Sequence, residues 1–208
     1  MHTTLEDIRA ALDSFEPTRL PKPENVKLRA SVAIVLAGDS SAPSVCLIQR
    51  AERDSDRWSG QMAFPGGRGS KEDMDHRATA ARETSEEVGL VLRDDMIVGE
   101  LSDISLHRHG SAHEGVLSPV VYHLGGKLLA FTPEPGEVAR AFWVPFNGLF
   151  DPERQVDYSF ELQGHRMVFP GILHERQTIW GLTYYMLRVL AGHIGRQDEL
   201  RPVEPVLR

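Results

Sequence analysis

A chain of 208 residues and 23.2 kDa is long enough for one substantial domain with a core, and 41% hydrophobic and 25% charged residues are ordinary for a globular protein. The formal net charge of −7 argues against a nucleic-acid polymer as partner, which calls for a basic face, but leaves room for a small anionic substrate offset by divalent ions. The one cysteine, Cys46, excludes an internal disulfide framework and sits in the apolar run VCLI as a small core residue. The opening stretch MHTTLEDIRAALDSF lacks a basic region followed by an apolar one, and no apolar run approaches the ~18 residues of a membrane span. A cytoplasmic protein with no membrane partner is therefore expected.

In chain order, residues 4 to 15 read as a short amphipathic helix. Thr4 and Asp7 form a capping pair, and Leu5, Ile8, Leu12 and Phe15 fall on one stripe. Pro17, Pro21 and Pro23 then extend the chain as a linker. From Lys27 the apolar period becomes that of strands. SVAIVLAG (31–38) and SVCLIQRAE (44–52) flank a polar turn and read as a hairpin. The polar stretch ERDSDRWSG and the run QMAF lead to Phe64-Pro65-Gly66-Gly67. A helix follows, with Asp73 or Asp75 as N-cap and Gly89 as its left-handed stop.

Beyond it, MIVGELSDI, GVLSPVVYHLGG, KLLAFTP and EVARAFWVPF are further expected strands, and DYSFEL and HRMVFPG form a hairpin around Gln163-Gly164. QTIWGLTYYMLRVLAGHI reads as a last helix with Ile179, Leu182, Met186, Val189 and Leu190 on one side. Strands grouped between helices predict an α+β fold, an α/β/α sandwich with a mixed sheet between helices. The expected organisation is an N-terminal helix and Pro-rich linker over 1–26, the main domain over 27–195, and a tail over 196–208.

Within the central helix Glu83, Glu86 and Glu87 stand at i, i+3 and i+4, so three carboxylates share one face. One reading is a solvated charged face. The other is a metal site, because like charges at that spacing destabilise a bare helix while Mg²⁺ takes oxygen ligands from a few carboxylates and substrate phosphates. Positions 87, 90 and 91 carry no Lys or Arg to offset the cluster, and Arg82 is placed to orient a carboxylate by a bidentate pair. The Gly66-Gly67 turn just upstream lets backbone approach an oxyanion or a metal.

The segment from Phe64 to Leu90 resembles the Nudix box, whose second half reads Arg-Glu-apolar-x-Glu-Glu-x-Gly-apolar. Arg82, Glu83, Glu86, Glu87, Gly89 and Leu90 match it, with Thr84 at the usually aliphatic place. Met74 stands eight residues before Arg82 where Glu is usual, between Asp73 and Asp75, and the loop is one residue longer than the common pattern. The stretch LIQRAERDSDRWSGQMAFPGG (47–67) is similar to the signature of the coenzyme A pyrophosphatase branch through Arg50, Arg57, Gly60 and Phe64 to Gly67. It departs by Ala51 for Ser, a shifted Arg57, and Ser70 for Asp. IWGLT (179–183) looks like that branch's terminal-helix motif.

The resemblance implies a Nudix-type fold and hydrolysis of a small-molecule diphosphate with Mg²⁺ or Mn²⁺. Coenzyme A or an acyl-coenzyme A is the leading substrate. ADP-ribose, a dinucleotide or a nucleotide sugar is the alternative, and a non-catalytic nucleotide-binding module a third. Glu83, Glu86 and Glu87 are the expected metal ligands, with a carbonyl of Gly66 or Gly67 and with Glu83 or Glu86 also serving catalysis. Arg82 supports a ligand carboxylate.

Glu137, opening EVARAFWVPF, is a candidate base or an edge-strand charge, and Glu114 a weaker one. Arg50 and Arg57 are candidates to grip substrate phosphates, with surface charge as the alternative. His107, His109 and His113 lack the spacing of a helical or finger zinc set. Trp143 and Trp180 sit in apolar patterns as core residues. Many relatives of this fold are dimers, so a homodimer is a possible form.

Overall fold

The computed structural model describes residues 2–21, 28–53, 58–106, 115–162, 165–203 and 206–207. The first helix, α1 (Leu5–Asp13), is closed at its start by the full capping box: Thr4 Oγ1 accepts from Asp7 N, and Asp7 accepts from Thr4 N. Its stripe of Leu5, Ile8 and Leu12 is buried, and Phe15 leaves the helix to meet the His193 ring 4.1 Å away.

The strands of the main sheet come in the order β1 (Leu28–Ala37), β2 (Ser44–Arg50), β3 (Met62–Ala63) and β4 (Gly66–Arg68). After helix α2 (His76–Val88) follow β5 (Ile97–Glu100), β6 (Ile104–Leu106), β7 (Gly115–His123) and β8 (Val138–Pro145). Laterally the sheet runs β3-β2-β1-β7-β5, with β4 on β1, β6 on β7 and β8 on β2. Only β1 and β7 pair parallel; the other pairs of this sheet are antiparallel, so the sheet is mixed. Central β1 is apolar on both faces because both are covered. Ile34, Leu36, Val45 and Leu47 pack with α1 and with helix α3 (Gly181–His193), whereas Ala33, Val35, Cys46 and Ile48 pack with Ala80 and Val88 of α2. This is the expected α+β sandwich, with helices on both faces of a mixed sheet.

A second sheet is built from β9 (Gln155–Leu162), β10 (His165–His174), β11 (Gln177–Trp180) and β12 (Val206–Leu207), all antiparallel to β10. Helix α3 (Gly181–His193) starts only after β11. The expected helix over QTIW is therefore corrected: those residues pair with β10, and Ile179 reaches the core from a strand. The buried side of α3 is Tyr184, Met186, Leu187, Leu190 and Ala191, while Leu182 is exposed. Starting the helix at Gly181 rotates the stripe away from the one that periodicity suggests.

KLLAFTP is the other correction, since it forms no strand. Its end is tied to the end of α2, where Thr132 N donates to Val88 O at 2.9 Å and Glu134 N, just past the segment, to Glu87 O at 3.0 Å. Orphan carbonyls at a helix terminus need such donors, and a strand pairing would leave them unmade.

The segment before α1 and the turn after α3 meet at Arg196, which is buried. Its guanidinium donates to Thr3 Oγ1, to Asn147 Oδ1 and twice to Glu199, and lies 3.8 Å from the centre of the Phe150 ring. Thr3 and Asn147 also exchange two hydrogen bonds. No helix among the described residues is long and apolar enough to cross a membrane.

Candidate active site

Helix α2 carries the site and is held at both ends. Asp75 caps it, accepting from Ala78 N at 2.9 Å, and Gly89 closes it in the left-handed conformation at φ 74°. The first turn is tied down by buried Glu100 of β5, which receives His76, Arg77 and Arg19. Thr84, the polar residue at a usually aliphatic place, is fully buried and returns its hydroxyl to Ala80 O at 2.7 Å, so it costs no unpaired group.

The glycine turn fits against this helix as only glycine can. Gly66 has φ +149°, and a Cβ there would lie 2.3 Å from Ser31 O and 2.6 Å from Val32 Cα. Its N–H donates to Glu87 Oε2 at 2.8 Å. A Cβ on Gly67 would lie 2.3 Å from Glu83 Oε2, so that carboxylate rests on bare backbone. Gly66, Gly67, Glu83 and Glu87 are thus brought together.

Glu87 is 4% exposed, and burial pushes its carboxyl up to about 7 against the pull of the Gly66 N–H; the charge of Glu83 adds to the rise. Glu83 is also raised, first by burial and with Arg82 opposing. Glu86 points further out, half-exposed, and meets Arg82 Nη1 at 2.9 Å. The charge that offsets the cluster thus comes from Arg82, on the i−4 side of Glu86.

Arg82 spends its donors on several partners. Nε and Nη2 form a two-pronged pair with Asp73 at 3.0 Å each, Nη2 also reaches Arg68 O and Glu83, and Nη1 takes Glu86. The bidentate partner is therefore Asp73 rather than a helix glutamate. Asp73 accepts in addition from Ser70 N and Thr79 Oγ1, and its bonds to Arg82 hold its carboxyl down at about 2. The sequence had offered Asp73 only as a cap. In the structure Asp75 caps and Asp73 braces, and the signal was an acidic residue nine positions before Arg82.

Arg50, the last residue of β2, lies close enough to oppose the rise of the Glu87 carboxyl. Glu137 sits in the turn before β8, which is tied to the end of α2 by Glu134 N on Glu87 O, and its charge adds the least of the causes that raise Glu83 and Glu87. Arg57, Glu114, His107, His109 and His113 lie outside the described residues. Trp180 is buried under Tyr158, and Trp143 is half-buried and gives its Nε1–H to Leu129 O. Cys46 is buried, and burial pushes its thiol up.

Among the described residues no three His, Cys, Asp or Glu side chains close a cage around one point. The donors on the glutamate face are nevertheless all hard oxygens: carboxylates, that of Glu87 buried, crowded with like charge beside a glycine backbone. That set suits a divalent cation that keeps waters and takes its remaining ligands from substrate phosphates. A cavity of about 420 Å³ lies elsewhere, at the start of α2, lined by Arg19, Arg29, Asp73, His76, Asp103 and Ser118. None of the helix glutamates borders it, so concavity alone does not mark the chemistry.

The family model described as NUDIX domain matches residues 27–162, which span the sheet, the glycine turn and the acidic helix. The chain belongs to this family. Nudix hydrolases in general use divalent metals, and the expectation of a pyrophosphohydrolase agrees with this membership. Relatives include Mitochondrial coenzyme A diphosphatase NUDT8 of Homo sapiens, 28% identical over 86% of this chain and 77% of that protein. An uncharacterized Nudix hydrolase NudL of Pectobacterium atrosepticum is 31% identical over 71% of this chain and 74% of its own length. An uncharacterized protein of Schizosaccharomyces pombe is 37% identical over 61% of this chain, which spans 44% of that relative's length. Among solved structures, a MutT/nudix family protein from Enterococcus faecalis superposes with a TM-score of 0.57 at 16% identity, covering 94% of this chain and 73% of the other. That likeness concerns the Nudix fold.

Proposed function

We propose that this Nudix protein hydrolyses the diphosphate of coenzyme A or an acyl-coenzyme A, releasing adenosine 3′,5′-bisphosphate and a 4′-phosphopantetheine product. The observation that carries the chemistry is the packing of Glu83 and Glu87 on the Gly66-Gly67 backbone, with Glu86 beside them. The substrate assignment is supported by the signature from Arg50 to Gly67 and by the name of the human relative.

In this reading Glu83, Glu86, Glu87 and a carbonyl of the glycine turn hold Mg²⁺ or Mn²⁺. When bound, the ion neutralises phosphate charge and acidifies water. Arg82, fixed by Asp73, keeps Glu83 and Glu86 in place for that role. Arg50, and Arg57 with it, pair phosphate oxygens. Glu137 accepts the proton of the attacking water as its oxygen bonds to phosphorus and the P–O–P bridge breaks, the electron pair leaving with the departing phosphate. A cytoplasmic location and a homodimer belong to the same proposal; the single buried thiol fits a reducing compartment.

The test is incubation with Mg²⁺ or Mn²⁺ and coenzyme A, acetyl-coenzyme A, ADP-ribose, a dinucleotide or a nucleotide sugar, with products read by mass. Cleavage of coenzyme A to the two stated products is expected. Cleavage of ADP-ribose but not coenzyme A sinks the substrate assignment, and no cleavage of any compound leaves a binding module.

A further inference from the structure

Glu137 stands in a turn that has no helix or strand of its own, so something must hold its carboxylate toward α2. The turn hangs from the end of α2 through the amides of Thr132 and Glu134. On its other side Glu137 O accepts from Ala51 N at 2.8 Å, just past the bulge that ends the β2–β8 ladder at Gln49/Arg50. Backbone bonds fix the height of the turn and leave its roll free, because none of them touches the carboxylate.

Arg53 supplies that contact from the loop after β2. Its Nε donates to Gly136 O at 2.8 Å, its Nη2 donates to the same oxygen, and Nη2 lies 3.5 Å from Glu137 Oε1. The Arg53 backbone is braced in turn, with its N–H on Ser59 Oγ at 2.6 Å and that hydroxyl donating to Ala51 O. A rigid planar fork fixed at one carbonyl defines where its remaining N–H can point. Both side chains are about half exposed, 47% each. A surface ion pair of that kind contributes little to stability, so a role in fold stability does not account for the arrangement.

We propose that Arg53 is a positioning residue: by clamping Gly136 and Glu137 it turns the Glu137 carboxylate onto the face that holds Glu83 and Glu87. This rests on the reading of Glu137 as proton acceptor. Arg53 touches no substrate in it, which separates its role from that given to Arg50.

The experiment is steady-state kinetics on wild type, Arg53→Ala, Arg53→Lys, Glu137→Gln and the double variant Arg53→Ala/Glu137→Gln, with Mn²⁺ affinity by calorimetry and thermal midpoints. Glu137→Gln is expected to lower kcat by roughly 10²–10⁴-fold, the usual worth of a general base. Arg53→Ala is expected to lower kcat roughly 10–100-fold, the cost of a misplaced group, with KM, Mn²⁺ affinity and midpoint close to wild type. Arg53→Lys loses the fork but keeps the charge, and falls between. The deciding result is the double variant, expected to be no slower than Glu137→Gln alone, because two residues acting as one unit are not additive. Multiplying losses overturn the role, as does an Arg53→Ala effect confined to KM, which would make Arg53 a substrate grip. A tenfold loss of Mn²⁺ affinity in Glu137→Gln overturns it by moving Glu137 to the metal. A wild type that cleaves coenzyme A while Glu137→Gln keeps full rate overturns the role and leaves the hydrolase reading intact. A wild type that cleaves nothing refutes the reaction, and this role with it.

Discussion

Replacing Glu87 by Gln should abolish a pH dependence of stability that the metal-free wild type shows. Burial raises this carboxyl from 4.5 to about 7. A group that holds its proton more tightly when folded adds stability below pH 4.5 and loses it as the pH climbs through 7. At about 1.4 kcal/mol per pH unit the loss is on the order of 3 kcal/mol, or roughly 6–12 °C of thermal midpoint for a chain of this size. Gln keeps the shape and an oxygen for the Gly66 N–H but cannot ionise. The assay is urea denaturation of both proteins in chelator at steps from pH 5 to 8.5.

His76, His123, His174 and His193 also titrate low through burial, and subtracting the two curves removes their contribution. The wild type should fall relative to Glu87→Gln as the pH rises, and saturating Mn²⁺ at pH 8 should restore the wild type because only the carboxylate is a ligand. A difference constant to within about 0.5 kcal/mol across that range would refute both the buried charge and the reason given for a cation.

Three further outcomes follow from the same geometry. Asp73→Asn should free Arg82, weakening Mn²⁺ binding by roughly 10–100-fold, as loss of a ligand's support does, in a titration where the fold is still present. Gly66→Ala places a Cβ inside Ser31 and Val32 at positive φ and should cost several kcal/mol, read as a large fall in the denaturation midpoint. Thr4→Ala removes the capping box of α1 and should cost about 1 kcal/mol while leaving the rate untouched, since α1 packs on the sheet face opposite the glutamates.

What the sequence made legible was local. The caps of α1 and α2, the Gly89 stop and the β1–β2 hairpin are short-range signals, and each stands in the structure. The family's second-half motif located Glu83, Glu86 and Glu87 because one helix face is fixed by spacing alone. The errors arose where a partner distant in sequence decides the outcome. QTIW is a strand because β10 offers an edge, and Thr132 of KLLAFTP, with Glu134 after it, is spent on the carbonyls of Val88 and Glu87. Asp73 was read as a cap because its grip on Arg82 depends on how the longer loop folds back, which no periodicity reports. Arg53 and Glu100 drew no notice, since a lone charge in a polar loop or at a strand end looks like surface until its partners are seen.

The knot at Arg196 has a practical consequence. Residues 3 and 196 touch, so the segment before α1 is locked to the turn after α3 and cannot fray while Arg196 keeps its partners. Stripping the first three residues would take one acceptor, Thr3 Oγ1, from a guanidinium that keeps Asn147 and Glu199, and would leave Asn147 without its two bonds to Thr3, at a cost of about 1–3 kcal/mol for each buried group left unmade.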